Sequence, residues 1–216
     1  LEGWATELPR FLALGAGQEA PELSAAALHS ELRRREATAV NARGEDLRRV
    51  LDQDCPDCVV LRRGFDVERL SQETEAAERQ HAFLDKTVSL HTTRDHEVAR
   101  GWASIPLRSV GGAMGDEGVN LVGSHGGGEF EDTPLMEQCC PYIRQIAREI
   151  AGLGRLCRVR LMRLESGGVI FPHRDNFENH AVVRLHLPIV TREGVEFRIR
   201  GRDYRLEAGT LYFTNV

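Results

Sequence analysis

From Cys157 to Val216 the chain reads as six short, alternating apolar runs parted by turn signals, and that succession narrows its fold more than any other feature. The runs are CRVRLMRLES, GVIFPH, HAVVRLHLPIV, VEFRIRG, RDYRLEAG and TLYFTNV, with turns expected at Gly167-Gly168, Arg192-Glu193-Gly194 and Gly201-Arg202-Asp203. Residues i and i+2 of a strand share a face, so each run has one side to bury; six of them at this spacing indicate a β-sandwich or barrel. Upstream, KTVSLHT and ARGWASIPL read as further short strands, and VGGAMGDEGVNLVGSHGGGEF as a glycine-rich loop that lines or covers a site. The segment TPLMEQCCPYIRQIAREIAGLG predicts a helix begun by Thr133 and Pro134, interrupted at Pro141 and ended by Gly152 or Gly154.

Between Pro21 and Phe83 the apolar period shifts to three-to-four. LSAAALHSELRRRE, EDLRRVLDQ and VERLSQETEAAERQHAFL predict amphipathic helices, with Ser24 and Asp66 as caps and CVVLRR as a strand among them. The expected organisation is a helical N-terminal region over 1–85, packed on or appended to a mainly β domain over 86–216. With 216 residues, 41% hydrophobic and 28% charged, the chain has enough apolar surface for one large domain with an appendage.

Charge and cysteine usage exclude several function classes. A net charge of −5 gives no general attraction to a phosphate backbone or an anionic lipid surface, so neither nucleic acid nor membrane is an expected partner. No apolar run approaches the ~18–20 residues of a membrane helix, and the opening LEGWATELPR has no charged-then-apolar signal pattern; the expectation is a cytoplasmic protein. Five cysteines, an odd number, point to reduced thiols. Cys55-Pro-Asp-Cys58 has redox or half-zinc spacing, but Asp52, Asp54 and Asp57 beside it raise a thiol pKa, and no second pair at zinc spacing follows. Lys86 is the one lysine, which leaves little room for Schiff-base chemistry.

The chemistry-bearing stretch is SGGVIFPHRDNFENHAVVRLHLPIVT, Ser166 to Thr191. In extended chain His173 and Asp175 converge on one point, and an imidazole nitrogen with a carboxylate oxygen is two-thirds of the two-histidine-one-carboxylate set that holds ferrous iron. The dipeptide spacing is weak by itself: with eight histidines and about one residue in twenty an aspartate, roughly 0.4 such matches arise by chance. His29-Ser-Glu31 matches a similar pattern inside a helical segment, where i and i+2 point apart. Arg184 and His186 are also i and i+2. On a barrel strand their shared face can be the interior, where a carboxylate ligand would satisfy both; for an isolated R-x-H the favoured reading is an arginine paired with a protein acid and a hydrogen-bonded core histidine.

Taken in order, Arg160-Leu-Met-Arg163-Leu-Glu-Ser-Gly-Gly-Val-Ile, His173-Arg-Asp175, Arg184-Leu-His186-Leu-Pro-Ile and Gly209-Thr-Leu-Tyr-Phe-Thr-Asn resemble the aspartyl/asparaginyl β-hydroxylase family of Fe(II)/2-oxoglutarate-dependent oxygenases, in particular the bacterial branch with cis-4-proline hydroxylase. Ile105-Pro-Leu-Arg108-Ser, Asp132-Thr-Pro and Cys140-Pro-Tyr-Ile are similar to that branch as well, so the likeness spans Trp102 to Val216. It implies a double-stranded β-helix, or jelly roll, packed with helices, and Fe(II) and 2-oxoglutarate as cofactors. The reaction it implies is hydroxylation of an unactivated C–H of an amino acid or peptide by dioxygen, with 2-oxoglutarate going to succinate and CO2.

Residue by residue, the resemblance makes His173 and Asp175 the iron ligands. It gives Arg184 and His186 to the carboxylates of 2-oxoglutarate and of the substrate; Arg163 is a further candidate for 2-oxoglutarate, and Arg108 and Trp102, with Arg184, are candidates for the substrate. The remaining iron histidine and the arginine for the far 2-oxoglutarate carboxylate are expected past Val216. A carboxylate at 175 favours hydroxylation over halogenation; Ser124 and His125 are candidates to face the site, but a solvated glycine-rich loop is the reading favoured for them. Two readings from other classes stay open: a cupin-like metal enzyme without 2-oxoglutarate, which usually carries H-x-H where this chain has H-x-D, and a catalytically silent jelly-roll binding module.

Overall fold

A twelve-residue strand, β3 (Ala99–Val110), carries hydrogen-bonded partners on both edges. The computed structural model describes residues 56–85, 99–115, 129–152, 154–173 and 183–215. In order their elements are β1 (Cys58–Arg62), α1 (Val67–Gln80), β2 (Leu84–Asp85), β3, β4 (Phe130–Asp132), α2 (Pro134–Cys139), α3 (Pro141–Ala151), β5 (Val159–Ile170), β6 (Arg184–His186), β7 (Phe197–Ile199), β8 (Arg202–Tyr204) and β9 (Leu211–Thr214). The described residues are thus mostly strands, in three antiparallel sheets, with a few helices. They fall into two compact units, one of described residues between 68 and 173, the other of 56–67 and 183–215. The helices expected over LSAAALHSELRRRE and EDLRRVLDQ, the strand KTVSLHT, and Ser124 and His125 lie outside the described residues.

In the first unit β5 runs along one edge of β3 while β2 and β4 share the other. Alternation sends Ala103, Ile105 and Leu107 to a buried face, and α2 packs on β3 with Leu135 and Met136 buried. Thr133 caps α2 as the sequence predicts: its hydroxyl accepts from the Met136 N–H at 3.2 Å, and its own N–H donates to the Leu107 carbonyl at 2.9 Å. The helix breaks at Cys140-Pro141, where proline cannot continue the ladder. The new N-terminus at α3 is satisfied from α1, because the Glu73 carboxylate accepts from the Tyr142 and Ile143 N–H groups at 2.7 and 2.9 Å.

The expected turn at Gly167-Gly168 is not a turn. CRVRLMRLES and GVIFPH fuse into the single strand β5, which bulges there: Arg100 pairs with Val169 and Trp102 with Leu164, so a short step on β3 faces a longer one on β5. Gly101 and Gly167 take φ of +64° and +74°, values glycine supplies without steric cost. Two adjacent glycines announce a departure from regular strand, and both hairpin and bulge satisfy that signal.

In the second unit β9 lies between β1 and β6. The register pairs Cys58 and Arg184 with Thr214, and Val60 and His186 with Tyr212, so all six side chains share one face. The β7–β8 hairpin covers that face, with Ile199, Phe197, Tyr204 and Leu206 packed on Cys58, Val60 and Tyr212. Its turn falls at Arg200-Gly201, one residue before the expected position, with φ of 49° and 78° as a two-residue hairpin connection needs.

The bulge offers a direct test. A Cβ at Gly168 would stand 2.8 Å from the Glu165 carbonyl oxygen and 2.9 Å from that of Arg100, both backbone atoms. Gly168→Ala is therefore expected to destabilise the protein by about 1–3 kcal/mol, the usual cost of overpacking. Urea or thermal unfolding reads the change, and wild-type stability in the variant would show that the bulge yields freely.

Candidate active site

His173 stands three residues past the end of β5, exposed, with its ring beside Trp102 of β3 at a centroid distance of 6.4 Å. Arg100 of β3 lies 5.8 Å from the Phe171 ring, so two side chains of one strand flank the segment that carries His173. The Nδ1 atom of His173 is 2.8 Å from the Phe171 carbonyl oxygen. A carbonyl can only accept, so in the neutral ring the proton is on Nδ1 and the lone pair is on Nε2. A backbone carbonyl holding one ring nitrogen is the usual support of a histidine whose other nitrogen binds metal. The imidazole therefore suits a metal ligand; Asp175 lies outside the described residues. Among the described residues no three His, Cys, Asp or Glu side chains cluster for a metal.

Trp102, Ser104, Met162 and Leu164 share one face of the β3–β5 pair. Met162 and Leu164 are 43% and 45% exposed there, apolar surface of the kind that lines a ligand cleft. Ser104 was not singled out from sequence. Its hydroxyl is buried without a hydrogen-bond partner among the described residues, and only the i, i+2 spacing from Trp102 signalled it.

The other two arginines expected at ligands are placed elsewhere in this unit. Arg163 pairs with Ala103, on the opposite face from Trp102, where it forms an ion pair with Glu78 and lies 4.2 Å over the Phe83 ring. Arg108 is six residues along β3 from Trp102, roughly 20 Å in extended chain. Its guanidinium donates to Asp132 at 2.6 Å, to the Phe130 carbonyl and to the Leu156 carbonyl at 3.4 Å. Asp132 also accepts from Arg144 at 2.9 Å, and Arg144 reaches Glu137 at 2.8 Å. This network walls a cleft of ≈ 610 Å³ that Arg148 and Arg155 also line. The PLRS and DTP segments, separate motifs in the sequence, thus meet in one charged clasp between β3, β4 and α3.

In the second unit Arg184 and His186 are half-buried on the covered face of the β1–β9–β6 sheet, as their spacing predicts. The His186 ring meets Phe197 edge-on at 5.5 Å, and its Nδ1 is 2.7 Å from the hydroxyl of Thr214. Cys58 points into the same core, and burial, with Asp57 beside it, pushes its thiol up to about 11; it is no redox nucleophile. Cys58, Cys139, Cys140 and Cys157 are all free thiols.

The family model described as aspartyl/asparaginyl β-hydroxylase matches residues 65–215. The chain belongs to that family. Its members are hydroxylases, which makes this protein an enzyme of the oxygenase kind. The match starts well before Trp102 and so takes in α1. No curated protein and no solved structure shows significant similarity to the chain. Among the described residues no helix is long and apolar enough to cross a membrane.

The arginine clasp makes a pH-dependent prediction. Burial raises the Asp132 pKa, but hydrogen bonds and charge from Arg108 and Arg144 outweigh it and hold the carboxyl below its usual value. A depressed pKa adds stability that is complete above the unfolded value, about 3.9, and is lost as pH falls through the folded one. Asp132→Asn should cost about 1–3 kcal/mol near neutrality. Urea unfolding between pH 7 and 3 should show the gap to wild type closing only below about pH 4; a gap constant across that range would mean the carboxylate charge is idle.

Proposed function

We propose that the protein is an Fe(II)/2-oxoglutarate-dependent dioxygenase on a double-stranded β-helix, similar to the bacterial cis-4-proline hydroxylase branch. It hydroxylates an unactivated C–H of a free amino acid or of an amino-acid residue in a peptide. The observation that carries this reading is the match to the hydroxylase family across residues 65–215, joined by a histidine at 173 whose Nε2 is left with a lone pair. In the balanced reaction dioxygen and 2-oxoglutarate are consumed, one oxygen atom enters succinate and the other the C–H bond, and CO2 leaves.

His173 and Asp175 hold the iron, which when bound activates dioxygen against the keto acid. Arg184 and His186 receive carboxylate groups, one as a permanent cation and one as an N–H donor, and their half-buried setting strengthens both interactions over what water allows. Trp102 and the apolar Met162 and Leu164 form a wall that keeps a small substrate desolvated and oriented. None of these groups needs to move a proton in the hydroxylation itself; what the protein supplies is placement. Arg108 and Arg163 have structural partners in Asp132 and Glu78, and Arg184 is the cation this reading gives to a carboxylate.

Adding Fe(II) and 2-oxoglutarate under anaerobic conditions should give a weak visible charge-transfer band, and admitting oxygen should give succinate. His173→Ala should abolish the band and lower succinate formation by at least about a hundredfold, the scale of losing a metal ligand. A wild-type protein with neither band nor succinate overturns the assignment, and a cupin-like or non-catalytic reading then takes its place.

A further inference from the structure

The second histidine raises a question that its distance to Thr214 answers. At 2.7 Å, either Nδ1–H donates to the hydroxyl or the hydroxyl donates to a bare Nδ1. Thr214 is 1% exposed, and among the described residues its hydroxyl has one hydrogen-bond partner, His186. If Nδ1 were the donor, the hydroxyl hydrogen would be buried without an acceptor, a penalty on the order of 1–3 kcal/mol. If the hydroxyl donates, its hydrogen is satisfied and its oxygen still carries lone pairs, which tolerate burial better. The second arrangement wins.

We propose that Thr214 is a positioning residue that holds His186 as the Nε2–H tautomer, so that this ring offers a hydrogen-bond donor and no lone pair at its outer nitrogen. The register makes the device possible: Thr214 stands opposite Arg184 on β9, diagonal to His186 and on the same face, within reach of Nδ1. Phe197, edge-on to the ring, restrains its plane. His186 is thereby unfit to ligate metal and suited to an anion beside the Arg184 guanidinium. The contrast with His173 follows from chemistry alone, since a carbonyl forces the proton onto Nδ1 and a hydroxyl with no other acceptor forces it onto Nε2. The consequence for 2-oxoglutarate rests on the proposed function, whereas the tautomer does not.

Long-range ¹H–¹⁵N correlation spectra of the full chain at alkaline pH, where imidazole is neutral, read the tautomer directly, with His186→Gln to assign the signals. The expected result is a protonated Nε2 and an Nδ1 resonance displaced by an accepted hydrogen bond. Thr214→Ser keeps that displacement. Thr214→Val, equal in size but without the donor, removes it and weakens 2-oxoglutarate binding about fivefold, one hydrogen bond's worth. A proton on Nδ1 of the wild type, or a His186 spectrum unchanged in Thr214→Val, overturns the proposal. Should Thr214→Val fail to fold, the wild-type and Thr214→Ser spectra still decide it. Wild-type protein that binds no 2-oxoglutarate defeats the functional reading, and the spectra decide the tautomer regardless.

Discussion

A strand hydrogen-bonded on both edges cannot shift its register without breaking two ladders at once, and β3 is held in this way by β5 on one side and by β2 and β4 on the other. That constraint fixes which side chains serve the core and which face the site. Ala103, Ile105 and Leu107 are committed to the packed face, Trp102 and Ser104 to the other, and a slip of one residue would exchange them. At its far end Arg108 is locked to Asp132 and Arg144, and at its near end Trp102 and Arg100 flank the segment bearing His173. One strand thus positions a structural clasp and a candidate metal ligand that share no side chain.

The bulge at Gly101 and Gly167-Gly168 explains how β5 can be both long and useful. A regular strand would continue its pairing past Leu164 without interruption; the extra residues let Val169 and Ile170 rejoin β3 at Arg100 and Ala99, and the chain leaves the sheet directly before His173. Gly168 is needed because three atoms crowd the place where a Cβ would stand. Glycine's small size here brings two backbones together, which differs from the conformational freedom that Gly167 supplies at φ +74°.

Much of this was legible in the sequence because short-range physics decides it. Thr133-Pro134 starts a helix wherever it occurs before an apolar period, Pro141 breaks one, and the alternation of Arg184 with His186 puts both on one strand face regardless of fold. Partnership across the sheet was not legible. Arg108 and Arg163 carry the charge a carboxylate substrate would need, but residue type says nothing of whether Asp132 or Glu78 arrives first, and those acids lie 24 and 85 residues away in sequence. In the sequence Thr214 has no visible part, because only the antiparallel pairing of β6 with β9 brings it to His186. The fused β5 has the same origin: whether a glycine pair turns the chain or bulges it depends on the strand that waits opposite.

Two histidines of one chain, each bonded through Nδ1, differ in what Nε2 can do, and the difference lies in the partner oxygen. Phe171 offers a carbonyl, which has no proton to give, and so the ring must donate inward and present a lone pair outward. Thr214 offers a hydroxyl with a proton and, among the described residues, no other acceptor for it, and so the ring must accept inward and donate outward. Composition cannot separate such residues, and neither can exposure, since an exposed ring binds water as readily as metal. The inward hydrogen bond can, because a neutral imidazole has one proton for two nitrogens. A carboxylate next to Arg184 then meets a donor where a ferrous ion would be refused, while the ring at 173 stands in the opposite state.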